Sequence, residues 1–113
     1  MPNAEQAFVP TNKILRYLLD PANERNQGKA GFFFRFGFTR RSWRRLATAL
    51  RQHALLYDVV STETTEYGVK YRIVGALTTP DERNPTVRTL WIVQHGDDMP
   101  RFVTAVPHDR RRR

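Results

Sequence analysis

The sequence predicts an α+β domain: two or three N-terminal helices followed by a four-stranded antiparallel sheet, with the helices packed on one face. Three observations lead there. Apolar residues recur at helical spacing in the first half of the chain. From about residue 57 the period changes to two. The later segments are joined by short turns rich in Gly, Pro, Asp and Asn, which suit antiparallel neighbours.

Residues 12–19 (NKILRYLL) carry Ile14, Leu15, Leu18 and Leu19 at i, i+1, i+4 and i+5, the pattern of a short helix. Thr11 is placed to cap it, and Asp20-Pro21 stops it. Residues 29–36 (KAGFFFRF) suit either a buried strand or a short helix; a helix is favoured because a better one follows, with Gly37 as C-cap or turn. That better helix is residues 40–55, where Trp43, Leu46, Ala47, Leu50 and Ala54 form one apolar face and Thr39 stands at the cap. Tyr57 to Thr65 is Val- and Thr-rich, as a half-buried strand should be. In 69–77, Val69, Tyr71, Ile73 and Leu77 share one face, with Lys70 and Arg72 on the other. Residues 86–94 are apolar on both faces, the mark of a central strand, and 101–106 form a fourth strand ended by Pro107.

The chain has 113 residues, which suits one domain over 1–107, with 108–113 read as a disordered basic tail. It has no cysteine, so disulfides, thiolate zinc sites and a cysteine nucleophile are excluded. The start lacks the basic and apolar stretches of a signal peptide, and no window approaches the roughly 18 apolar residues of a membrane helix; a cytoplasmic location is expected. The net charge is +8; of 19 basic residues only Lys13, Lys29 and Lys70 are lysines. Arginine binds phosphate and carboxylate through a bidentate fork, so acidic partners are expected, RNA among them. Without the tail the body still carries +5.

Motifs for nucleotide binding, zinc proteolysis and serine hydrolysis are absent. His53, His95 and His108 lack ligand spacing, so neither a metal nor a cofactor is expected. Two basic groups stand out. Arg40, Arg41, Arg44 and Arg45 load the start of the main helix with positive charge, against the macrodipole; a bound phosphate would reverse that sign, and a solvated, screened helix surface accounts for the same residues. Lys70, Arg72, Arg88, Arg101 and Thr104, with the phenols of Tyr67 and Tyr71, project from neighbouring strands. If they converge they form a cationic pocket without an obvious carboxylate; if not, they snorkel over an exposed face. RNA cleavage by 2′-hydroxyl attack needs a base, an acid and a cation for the phosphorane. Arginine and lysine supply the last; tyrosine, histidine or a lysine of lowered pKa could move the protons. The phenylalanine run and the tryptophans read as core rather than base-stacking platforms.

The segments PNAEQAFVPTNKILRYLLD, GKAGFFFRFGF, a Trp-x-x-Leu helix, YGVKYRIVGALTTPD, VRTLWIV and PRFVTAVP follow one another over residues 2–107. In that order they resemble a family of small bacterial domains, which in turn resembles the barnase–EndoU–colicin–RelE superfamily of metal-independent ribonuclease toxins. The resemblance implies helices before a four-stranded antiparallel sheet, an RNA-cleaving or RNA-binding sheet face, and a small acidic antitoxin as protein partner. It picks out Lys13, Lys29, Tyr67, Lys70, Tyr71, Arg88, Arg101 and Thr104. Two positions depart from the pattern: Val106 stands where tyrosine is usual, and Gly31 replaces a bulkier residue.

The reading that results is a toxin-type endoribonuclease. Lys70, Tyr71, Arg88, Arg101 and Thr104 are its expected catalytic group; Lys29, Arg40, Arg41, Arg44, Arg45 and Arg72 are its expected RNA-binding group. The alternative is a non-catalytic basic module that binds nucleic acid or an acidic protein through the same face. An antitoxin or immunity protein is a third reading, against which the positive charge argues.

Overall fold

A computed structural model describes residues 1–26 and 28–108. The expected tail lies, from residue 109 on, outside the described residues. The expected order of elements is observed. Helix α1 (Thr11–Lys13) runs directly into a π-helical turn at Ile14–Leu18; α2 (Lys29–Arg35) and α3 (Trp43–Leu56) follow. Strands β1 (Val59–Thr64), β2 (Gly68–Ala76), β3 (Thr86–Gln94) and β4 (Arg101–Pro107) then form one antiparallel meander in the order β1-β2-β3-β4. β3 is interior, as its two apolar faces require. No helix among the described residues is long and apolar enough to cross a membrane.

The first helix is the least regular element. Thr11 is its first helical residue and Pro10 its cap, without a side-chain hydrogen bond, so the expected Thr11 cap is replaced. Proline suits the entry because its missing N–H would find no helical acceptor there. The Leu19 N–H reaches the Ile14 carbonyl at 2.8 Å, an i→i+5 bond that widens the turn. Ile14, Leu18 and Leu19 are all fully buried, which a turn of this width allows.

α3 begins at Trp43, three residues later than its sequence suggested. Residues 39–42 are instead held as a turn: Thr39 Oγ1 accepts the Ser42 N–H at 3.1 Å and shares a hydrogen bond with Ser42 Oγ at 2.6 Å. Arg40 and Arg41 therefore precede the helix. Arg40 donates to the carbonyls of Leu15 and Leu19, satisfying the C-terminal end of the first helix. That gives the Nη1 of Arg40, a member of the expected phosphate-binding group, a structural role.

The core lies between the helices and one face of the sheet. Leu46, Leu50 and Ala54 of α3, Phe33 and Phe38, and Ile14 and Leu18 meet Ile73, Val87, Trp91, Phe102 and Ala105. Trp91 and Phe102 pack edge to face at 5.3 Å between centroids. The polar groups buried in this core pair with one another and with the backbone. Trp91 Nε1–H donates to Thr89 Oγ1 (2.9 Å), and the Thr89 hydroxyl lies 3.2 Å from His53 Nδ1. His53 Nε2 lies 3.1 Å from the Gly75 carbonyl. Every group is satisfied when Nε2 carries the proton and Nδ1 accepts from Thr89. Burial, outweighing backbone hydrogen bonds, holds the His53 pKa below its ordinary 6.5. The Tyr57 ring lies on this histidine, 5.2 Å away, and also on Gly75, where any Cβ would come within 2.4 Å of it.

Candidate functional site

The first helix places Lys13 and Tyr17 one turn apart on the same side, while Ile14 and Leu18 turn inward. Tyr17 reaches β4, where its hydroxyl lies 3.0 Å from Thr104 Oγ1. The two residues are 87 apart in sequence. The Lys13 and Lys29 ammonium groups lie 5.3 and 5.6 Å from the centre of the Tyr17 ring. Lys29 is only 9 % exposed, unusual for a lysine.

The local chain explains how Lys29 gets there. Buried Asn26 donates to the carbonyls of Tyr17 and Asp20, each at 2.7 Å. Its side-chain oxygen accepts the Gly28 N–H at 3.0 Å. Gly28 takes φ +84°, a left-handed turn that favours glycine, and α2 begins at the next residue. Asn23 adds a bond to the Arg16 carbonyl at 2.6 Å. One asparagine thus ties the backbone of the tyrosine to the turn that presents the lysine.

These residues stand at a cleft of about 430 Å³ between the first helix and β4. Lys13, Arg16 and Arg25 line it, with Asn12, Asn23, Tyr17, Val103 and Thr104, and no carboxylate does. The ion pairs among the described residues are Arg72–Glu63, Arg83–Asp81 and Arg101–Asp97, none of which uses a cleft cation. Burial alone would push the Tyr17 phenol up. Hydrogen bonding from Thr104, the adjacent Lys29 ammonium and the charge of Lys13 outweigh it, and the pKa falls below the ordinary 10.0. The cleft can therefore hold an anion among cations and offers an acidified phenol at its wall.

The expected catalytic group divides. Thr104 is in the cleft. Lys70, Arg88 and Arg101 lie on the sheet face turned away from the core, as does Arg72. Lys70 is in register with Ile92 and Arg101; Arg72 with Leu90 and Thr104; Arg88 with Val74 and Val106. Strands stand 4.7–4.9 Å apart, so the Lys70 and Arg101 backbones, two strands apart, are about 10 Å from each other, and Arg88 lies four residues along β3 from the Ile92 between them. The face also has a carboxylate: Glu63 of β1 is opposite Lys70 and pairs with Arg72 at 3.0 Å. Arg101 leans toward Asp97 (3.9 Å) and the Phe8 ring (5.5 Å), where Phe8 extends the sheet by a parallel bridge. Tyr71 is on the opposite face, in register with Trp91, so it does not join these cations. Tyr67 is exposed in the β1–β2 turn.

The RNA-binding group is similarly dispersed. Lys29 is under Tyr17; Arg44 and Arg45 line a separate groove of about 290 Å³ with Thr48, Gln52 and Thr78, Arg44 lying on the Trp43 ring at 4.6 Å; Arg41 is exposed. Sequence reasoning missed Tyr17. The available signal was its position four residues after Lys13 on one helical face; nothing local pointed to Thr104.

The fold that emerges is a small α+β domain in which N-terminal helices cover one face of a four-stranded meander and build a cationic cleft at its β4 side. The chain belongs to the family described as a domain of unknown function (DUF6883), matched over residues 1–109. Its fold is similar to that of a chain in the contact-dependent growth inhibition toxin–immunity protein complex from Klebsiella pneumoniae 342. The TM-score is 0.73 at 20 % sequence identity, over 88 % of this chain and 98 % of that one. No curated protein matches.

Proposed function

We propose that this domain is a toxin-type, metal-independent endoribonuclease, and that its reaction centre is the cleft between the first helix and β4. The observation that carries this reading is Tyr17: a phenol of lowered pKa, hydrogen-bonded to Thr104, with two ammonium groups 5.3 and 5.6 Å from its ring centre, at a cleft lined by no carboxylate among the described residues. The fold shared with a chain of a growth-inhibition toxin–immunity complex is in keeping with a toxin and with a protein partner.

In this mechanism the Tyr17 phenolate takes the proton of an RNA 2′-hydroxyl. The 2′-oxygen bonds to phosphorus, and the bond to the 5′-oxygen breaks. That oxygen takes a proton from the Lys13 ammonium, giving a 2′,3′-cyclic phosphate and a 5′-hydroxyl end. Lys29 favours the phenolate and the charged phosphorane; Thr104 orients the phenol; Arg16 and Arg25 hold flanking phosphates. Lys70, Arg88 and Arg101 stand outside this centre.

The test is inducible expression in a bacterial host, with growth and total RNA integrity followed together. Wild type is expected to arrest growth and cut RNA, and soluble Tyr17→Phe to do neither. RNA cleavage at the wild-type rate by Tyr17→Phe would remove the phenol from the mechanism. Healthy growth with intact RNA under wild-type expression would favour the non-catalytic binding module.

A further inference from the structure

The outer face of the sheet has a composition of its own. Its rows mix cations with aliphatic side chains: Lys70 beside Ile92, Arg72 beside Leu90, and Arg88 between Val74 and Val106. The aliphatics are half-buried and Arg88 is exposed. The main helical contacts of the sheet are those of α3 with β2 and of α1 with β4, and the core lies on the other face. Among the described residues, Glu63 faces Lys70 and engages Arg72, and Asp97 of the β3–β4 turn lies 3.9 Å from Arg101, while Lys70 and Arg88 are in no ion pair.

From this we infer that the outer sheet face is the seat of an acidic protein partner, distinct from the RNA path through the cleft. Three features favour protein over nucleic acid. The strand rows hold aliphatics rather than aromatics, with Phe8 flanking them beyond Arg101, and single-stranded nucleic acid is held by several aromatics on which successive bases stack. Leu90 and Ile92 lie in the middle of the face with Arg72, Lys70 and Arg101 on the flanking strands, and Val74 and Val106 lie on either side of Arg88, a mixture of apolar and basic groups that matches a protein interface. Arg72 and Arg88 can each take a carboxylate through a bidentate fork. The partner is therefore acidic at its rim and presents aliphatic side chains at its centre. Thr104, in register with Leu90 and Arg72, closes one row and touches Tyr17, so a partner seated here overhangs the cleft mouth. The overhang, though not the seat, rests on the function proposed above.

The test uses defined probes on the full chain, followed by backbone amide chemical shifts. An alternating Glu–Leu peptide carries acid and aliphatic together, polyglutamate carries acid alone, and a short single-stranded RNA carries phosphate and bases. The peptide is expected to shift the amides of Lys70, Arg72, Arg88, Leu90 and Ile92 and to bind more tightly than polyglutamate. Arg88→Glu, at an exposed position, is expected to weaken it about tenfold with an unchanged melting temperature, and Tyr17→Phe not at all. RNA is expected to shift Lys13, Tyr17 and Thr104 instead. RNA shifting the outer face, or polyglutamate matching the peptide, would overturn the docking surface. Peptide binding that survives while RNA leaves the cleft unshifted would overturn the proposed function alone.

Discussion

Two aromatic–hydroxyl pairs in this molecule use similar chemistry to opposite ends. In the core, Trp91, Thr89 and His53 form a chain of hydrogen bonds that closes on the Gly75 carbonyl. At the cleft, Tyr17 and Thr104 form one bond, and the groups around them are Lys13, Lys29, Arg16 and Arg25 with no carboxylate at the wall. The first set is complete without a ligand, and burial keeps its histidine neutral. The second is incomplete in charge, and it lowers the pKa of a phenol instead. A buried polar group signals function when its surroundings leave charge unanswered, not merely when it is buried.

Substitutions can break that contrast. The largest effect is expected from Tyr17→Phe, which should lower RNA cleavage by about 10²- to 10⁴-fold while leaving thermal unfolding nearly unchanged. A melting temperature that falls with the activity would assign Tyr17 to the fold. In the core the pattern should invert. His53→Ala leaves the Thr89 O–H without an acceptor and the Gly75 carbonyl without its imidazole donor around a cavity, and should cost about 3 kcal/mol or more in denaturant unfolding. Gly75→Val drives a side chain into the Tyr57 ring and should cost about 1–3 kcal/mol.

Titration sharpens it further. His53 has a lower pKa folded than unfolded, so the unfolded chain takes up a proton that the native state resists. Its contribution is complete above about pH 6.5 and is lost below it, at up to about 1.4 kcal/mol per pH unit. His53→Gln should flatten that part of the stability curve. At the cleft, cleavage should rise with pH toward a midpoint below 10, and Lys29→Met should move the midpoint upward because an ammonium that favours the phenolate is gone. An unmoved midpoint would disconnect Lys29 from Tyr17. The smallest effect is expected on the outer sheet face: Arg72→Ala breaks a part-exposed pair with Glu63 and should change stability by no more than about 1 kcal/mol.

The architecture was legible because it rests on periodicity. The apolar face of α3 (Leu46, Ala47, Leu50, Ala54) and the alternation in β2 and β3 name their own burial. The helix starts were not. Thr39 and Ser42 made a local turn in place of a cap, which left Arg40 free to bond with carbonyls 21 and 25 residues away. The site was legible only in part. Lys29 and Thr104 were named, but assigned to different groups, because a contact spanning 87 residues leaves no periodic trace. Tyr71 joins Lys70 and Arg72 in the sequence reading only for its phenol and its motif, and its place on the opposite face follows from the alternation itself. The strand cations drew attention for their charge, yet the register spreads them across the sheet.

The separation between Tyr17 and Thr104 also bears on when the molecule becomes active. A meander of sequential neighbours assembles through local pairings, which form early. The cleft instead needs the first helix to meet the last strand, and the Phe8 bridge to Arg101 closes at the same place. Helices and hairpins can each be in place while the proposed reaction centre is still missing. On the proposed mechanism a growing chain is thus inert until β4 has been made and docked, and the order of synthesis itself would delay the chemistry.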